Sequence, residues 1–172
     1  MTNLAQAAPR IPLVCFWEIT DACNLRCIHC EANAGERTKD ELTTEEALSL
    51  VDELAESGCK NVMLTGGEPL VRRDWPLISE RLSDNGIEVT IITNGLLVDE
   101  KIVERMCESR VVGVSVSLDG NKEVHDTIRR SPRRSDASRY EAAIRAIQLL
   151  AASPLKTAVI TQVHRRNIDD LG

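Results

Sequence analysis

The sequence predicts an α/β protein built on a parallel sheet. Two observations carry that prediction. Five short apolar runs alternate with amphipathic stretches of helical period. The residues most suited to chemistry also fall at or just after the carboxyl ends of the first four runs. Strands alternating with helices make βαβ units with right-handed crossovers. Five such strands suit either a doubly wound sheet or part of a (β/α) barrel, and periodicity does not choose between them. Both architectures place chemistry at the carboxyl ends of the strands.

The elements follow in order. Residues 13–20 (LVCFWEIT) read as a buried strand. Residues 42–57 read as a helix with a Thr43/Glu46 capping box, a stripe of Leu48, Val51 and Leu54, and Gly58 as its stop. Residues 61–65 (NVMLT) form the second strand and run into Gly66-Gly67-Glu68-Pro69. Asp74 is placed to cap a short helix that ends before Gly86. Residues 88–93 form the third strand, 99–108 the third helix and 111–118 the fourth strand, closed by Asp119-Gly120. A long polar segment follows. Ser138 and Glu141 then open a helix over residues 138–152, with Tyr140, Ile144, Ile147 and Leu150 on its core face. Residues 156–163 form the fifth strand, and Asn167 is placed as the cap of a last helix.

The chain has 172 residues, enough for one domain: a tail over residues 1–12 and a core over 13–172. A net charge of −6 and only four aromatic residues argue against a nucleic-acid binder. No apolar run has the length of a membrane span, and the first residues lack the pattern of a secretory signal. The expectation is a cytoplasmic protein with reduced thiols, whose cysteines bind metal, react or pack. Cys15, Cys59 and Cys107 are scattered in apolar or helical surroundings and read as small buried hydrophobes. Cys23, Cys27 and Cys30 are spaced C-x3-C-x2-C directly after the first strand.

A structural zinc site takes four protein ligands and an ordinary ferredoxin cluster four cysteines. Here there are three. His29 adjoins Cys30, which makes it a poor fourth ligand, while His125 and His164 are distant in sequence. Three thiolates on a four-iron cluster would leave one iron open to a substrate or cofactor. A zinc-binding module stays open as the alternative.

The three cysteines after strand one, with Gly66-Gly67-Glu68-Pro69 after strand two, resemble the radical S-adenosylmethionine (SAM) superfamily. Ser117-Leu118-Asp119-Gly120, His125-Asp126 and Arg129 resemble the SLDG…HD…R pattern of its SPASM-type maturases, which modify peptides or small metabolites. The resemblance implies a partial (β/α) barrel, cut after about the fifth strand. It also implies a [4Fe–4S] cluster held by Cys23, Cys27 and Cys30, with SAM on the fourth iron. Gly66, Gly67, Glu68 and Pro69 would meet SAM, with Glu68 or its backbone receiving the ammonium. Ser117 and Arg129 would contact SAM, the arginine through its planar fork. The backbone at His29 would meet the adenine. An external ferredoxin- or flavodoxin-type reductant and a peptide or small-molecule substrate complete the expectation.

Other residues keep two readings. Ser115 and Asn94 suit packing and a turn as well as a ligand. His125 and Asp126 can simply order the loop after strand four, and Glu18 and Asp21 are rim residues or substrate contacts. Arg129, Arg130, Arg133, Arg134 and Arg139 make a basic run that reads as a solvated loop, Arg129 excepted, or as a docking patch. The chain ends at Gly172 inside what reads as the first turn of a helix, so a fragment lacking a sixth strand and a C-terminal region is expected. The alternative to a working enzyme is then an iron–sulfur-binding protein without turnover.

Overall fold

The computed structural model describes residues 13–132 and 137–171. The expected tail over residues 1–12, and Arg133 and Arg134 of the basic run, lie outside them. Five strands make one sheet: β1 (Val14–Glu18), β3 (Asn61–Thr65), β4 (Glu88–Thr93), β5 (Gly113–Ser117) and β7 (Lys156–Ile160). All four pairings are parallel, and the order β1-β3-β4-β5-β7 follows the chain. A doubly wound sheet reverses its strand order and this one does not, so the sheet is an arc of a (β/α) barrel.

The helices α1 (Thr44–Glu56), α2 (Trp75–Asp84), α3 (Glu100–Glu108) and α5 (Arg139–Ala151) pack their apolar faces with one side of the sheet into a single core. Only that side is covered. β1 therefore alternates, with Trp17 buried but Phe16 66% exposed, which corrects the expectation of a fully buried strand. The opposite face points into the barrel arc and stays open.

Thr43 and Glu46 form both halves of the α1 capping box. The residues that α1 buries fully are Ala47 and Val51, with Leu48 and Leu54 only partly covered. In α5 they are Ala143, Ala146 and Leu150, with Tyr140, Ile144 and Ile147 at the margin. The predicted stripes are turned toward small residues because alanine lets a helix lie close to the sheet. Asp74 precedes α2 without capping it. Its carboxylate instead binds Arg72 (Arg72 Nε to Oδ1, 2.8 Å) and accepts from Thr44 Oγ1 at 2.7 Å. Of the scattered thiols, Cys59 is buried, while Cys15 and Cys107 are partly exposed at the edge of the core.

Two further elements lie in the segment that read as a polar loop. Asn121 caps α4 (Lys122–Ile128), which runs into β6 (Arg129–Arg130). β6 pairs antiparallel with β2 (Arg26–Cys27), setting Cys27 opposite Arg129, and Ile28 N donates to the Ile128 carbonyl at 3.0 Å. β7 ends at Ile160, three residues before the expected end, because beyond it side chains of the loop replace the backbone ladder: Thr161 Oγ1 donates to the Leu118 carbonyl at 2.7 Å and Gln162 N to Asp119 Oδ1 at 3.2 Å. The expected last helix is a 3-10 turn at Ile168–Asp170. Asn167 does not cap it. The side chain is buried and donates to the carbonyls of Asp119 (3.0 Å) and Gln162 (2.8 Å).

Candidate active site

A cavity of about 310 Å³ opens at the carboxyl-terminal rim of the sheet, where a barrel presents its loops. Cys23, Cys27, His29 and Cys30 line one side. Gly66, Gly67 and Glu68 line another, with Thr93, Asn94, Ser117, Arg129 and Gln162 completing the wall. Residues up to 139 positions apart in sequence, Cys23 and Gln162, thus meet because consecutive parallel strands end on one rim. Of the residues that the family resemblance assigns to this site, Pro69 alone does not line the cavity. It opens the 3-10 turn Pro69–Val71 just behind it.

The cysteine loop is held from three directions. Cys23 N donates to the Gly35 carbonyl (2.9 Å) and Gly35 N to the Asp21 carbonyl (2.8 Å), closing the loop's base. Glu41 pins the far side, accepting from Asp21 N, Thr20 Oγ1, Arg37 Nε and Thr38 N. The β2–β6 ribbon holds Cys27. The Cys23 sulfur accepts from Leu25 N at 3.3 Å and the Cys30 sulfur from Ala34 N at 3.5 Å, so backbone amides already turn toward two of the thiols. Burial pushes the Cys23 thiol up, and burial pushes Cys27 up to about 11 despite the nearby Arg129 guanidinium.

The two glycines have a structural reason to be glycine. Gly67 N donates to the Thr20 carbonyl (2.7 Å) and Glu68 N to the Ala22 carbonyl (2.8 Å), docking this turn on the end of β1. A Cβ at Gly66, where φ is +132°, would stand 2.3 Å from the Thr20 oxygen. A Cβ at Gly67 would stand 2.3 Å from the Ala22 oxygen. No side chain fits between backbones that close.

Glu68 is 1% exposed, and its carboxylate is the acceptor for three donors. Oε1 takes Thr93 Oγ1 (2.8 Å) and Leu70 N (3.2 Å), and Oε2 takes Asn94 N (2.8 Å). A carboxylate offers roughly four acceptor positions, so Oε2 retains one for a donor in the cavity. Burial raises Glu68 to about 7, against the pull of those hydrogen bonds, and a cation placed beside it would favour the ionised form.

Asp119 joins the far wall together. Its side chain is fully buried. Arg129 donates to it from Nε (2.7 Å to Oδ2) and Nη2 (3.3 Å to Oδ1). Gln162 N donates to Oδ1 at 3.2 Å, and His29 Nε2 stands 3.7 Å from Oδ2. Burial disfavours its charge, but Arg129, the Gln162 N–H and His29 together outweigh this and hold the carboxyl below its usual range. Asp119 N donates to His125 Nδ1 at 3.1 Å, so His125 orders the loop after β5, and burial lowers it to about 4. Asp126 does the same for α5, accepting from Tyr140 N at 2.8 Å. Sequence reading passed over Gln162 in the wall and, behind it, Asn24, whose Oδ1 accepts from Asn94 Nδ2 at 2.7 Å, and the hub role of Asp119. The Asp-Gly pair had read as the closing turn of a strand and as part of the SLDG pattern, with no role given to the aspartate. Ser115, Glu18 and Asp21 do not line the cavity, and Asp21 Oδ2 accepts from Thr38 Oγ1 at 2.8 Å.

Among the described residues no three His, Cys, Asp or Glu side chains stand close enough to hold one metal ion. A single tetrahedral ion draws its sulfurs in to ~2.3 Å each. Cys23, Cys27 and Cys30 all line the one cavity, a donor set that would suit the irons of a cluster. No helix among the described residues is long and apolar enough to cross a membrane.

Comparison with known proteins agrees with this geometry. A family model described as the radical SAM superfamily matches residues 17–172. The chain is 36% identical over 167 residues to an AdoMet-dependent heme synthase of Methanosarcina barkeri, covering 96% of this chain and 46% of that protein. It is 35% identical over 162 residues to the mycofactocin maturase MftC of Mycobacterium tuberculosis, covering 93% and 40%. Among solved structures, SuiB of Streptococcus suis bound to S-adenosylmethionine superposes with a TM-score of 0.72 at 20% identity, covering 94% of this chain and 37% of that one. The chain thus spans less than half the length of these relatives. The matched span takes in the cysteine loop, the Gly-Gly-Glu turn and every strand but the first three residues of β1, and the chain belongs to the radical SAM superfamily, whose members use a [4Fe–4S] cluster and S-adenosylmethionine.

Proposed function

We propose that this chain is the cofactor-binding barrel portion of a radical SAM enzyme that acts on a peptide or a small metabolite. The observation that carries this reading is the gathering of three cysteines, a buried glutamate with a spare acceptor position and an arginine around one cavity. When bound, the cluster and SAM would supply one-electron chemistry: reductive cleavage of the sulfonium with an electron from an external donor, and hydrogen-atom abstraction from the substrate.

The residues of the chain would bind and orient. Cys23, Cys27 and Cys30 would each hold one iron, leaving the fourth for the amino and carboxylate groups of SAM. Glu68 would accept at Oε2 an N–H of the SAM amino group, polarised by the iron, and Arg129 would pair its charge with the SAM carboxylate. Gly66 and Gly67, bare of side chains, would let the ligand lie against the turn. Ser117, 7% exposed at the end of β5, would contact SAM through its hydroxyl. The backbone beside His29 would meet the adenine. The protein's contribution is placement and shielding, while the cofactors carry the hard chemistry.

Three similar proteins bear on the substrate. SuiB has been solved with its precursor peptide SuiA, and MftC is named as a maturase, which support a peptide. The heme synthase supports a small metabolite. The electron would come from a ferredoxin- or flavodoxin-type donor.

Anaerobic reconstitution followed by iron and sulfide analysis tests the reading. The expected result is about four irons and four sulfides per chain, with an electron paramagnetic resonance signal that changes when SAM is added to the reduced protein. Cys27→Ala is expected to abolish the cluster. Tightly held zinc without iron, or full cluster content in Cys27→Ala, would overturn the assignment.

A further inference from the structure

We propose that Asp119 is a positioning residue for SAM binding, clamping one edge of the Arg129 guanidinium so that its remaining N–H groups face the cavity. This deepens the function proposed above and rests on it. Arginine has five N–H donors in a rigid fork. Asp119 engages two of them, at Nε and Nη2, and Arg129 still lines the cavity. The backbone of Arg129 is fixed independently, because β6 pairs with β2 and sets Arg129 opposite Cys27. Backbone register fixes where the arginine stands relative to the cysteine loop, and Asp119 fixes which way its fork turns.

The clamp is itself braced. Asp119 follows β5 directly, and its carboxylate accepts from Gln162 N on the segment after β7. Its carbonyl accepts from the buried Asn167, and its N–H donates to His125. Four chain segments therefore agree on the position of Asp119, three of them through its backbone and Gln162 through its carboxylate. A surface ion pair needs no such support. An arginine that must meet a second carboxylate, that of the ligand, at a set angle does, because a preset fork loses little freedom when the ligand arrives.

The test is a double-mutant cycle on reconstituted protein, read by equilibrium binding of SAM and by the SAM-dependent change in the paramagnetic spectrum. Asp119→Asn is expected to weaken SAM binding by about tenfold or more while iron content stays at the wild-type level. In an Arg129→Ala background the same change is expected to add nothing, because the aspartate acts through the arginine. Arg129→Lys gives a second route that leaves Asp119 in place: lysine keeps the charge but cannot be clamped at two points, so its SAM affinity is expected to fall close to that of Arg129→Ala. The proposal is overturned if Asp119→Asn binds SAM like the wild type, if its effect is equally large without Arg129, or if Arg129→Lys binds like the wild type. Wild-type protein whose spectrum ignores SAM would remove the functional reading and this proposal together. Normal wild-type binding with unaffected variants would remove the proposal alone.

Discussion

Single atoms decide much of this site. Gly66 and Gly67 separate two backbones that a methyl group would force apart, since either Cβ would meet a carbonyl oxygen at 2.3 Å. The nearest obstacles are main chain, not the flexible end of a side chain, so there is no cheap escape. Gly67→Ala is expected to destabilise the fold by roughly 3 kcal/mol or more. Urea denaturation of the cluster-free protein measures this directly, and a loss below about 1 kcal/mol would show that β1 can move away. The same residues illustrate a limit of motif reading. The glycines were expected to make room for a ligand, and the structure adds a reason internal to the protein, the docking of the turn on Thr20 and Ala22.

Among the elements, the two-residue ribbon of β2 and β6 does more than its size suggests. It ties the cysteine loop to the end of α4, and the fully buried Ile128 sits at that junction. Ile128→Ala is expected to cost about 2–4 kcal/mol through lost burial and a residual cavity. A melting temperature unchanged from the wild type would count against this packing role. Asn167 makes the corresponding junction on the other side. Asn167→Ala would leave the Asp119 and Gln162 carbonyls and the His164 N–H without their partner, at a cost of roughly 2 kcal/mol. Thermal denaturation monitored by circular dichroism checks both variants. Neither β2 nor β6 has a period that sequence could reveal, because two residues carry none.

For the molecule as a whole, two buried groups pull stability in opposite directions with pH. Glu68 ionises near its ordinary 4.5 when unfolded but at about 7 when folded. The folded state therefore holds the extra proton between those values, and raising the pH through that window destabilises it. His125 is lowered from 6.5 to about 4, so the unfolded chain takes up the proton first and stability is lost as the pH falls from 6.5 toward 4. Each effect is on the order of 3 kcal/mol, and they partly cancel in the wild type. Removing one should unmask the other. Stability of Glu68→Gln is expected to rise with pH between 4.5 and 6.5, and that of His125→Asn to fall, both read by denaturant midpoints of the cluster-free protein. Parallel slopes in the two variants would contradict the assignment.

The sequence by itself determined the βα alternation, the cysteine trio, the Gly-Gly-Glu turn and the family, because each is a local pattern: a hydrophobic period, a spacing or a cap such as Thr43 with Glu46. Periodicity left a barrel arc and a doubly wound sheet open and the family resemblance implied the barrel; the tertiary structure bears that out, since strand order is a relation between distant segments. Only the tertiary structure could join Asp119 to Arg129, Gln162 and Asn167, because hydrogen bonds between residues up to 48 positions apart leave no periodic trace. Helix faces lie between these cases. Periodicity located α1 and α5, but close approach to the sheet selected Ala47, Ala143 and Ala146 for the core ahead of larger neighbours. Packing distance, which no one-dimensional pattern encodes, made that choice.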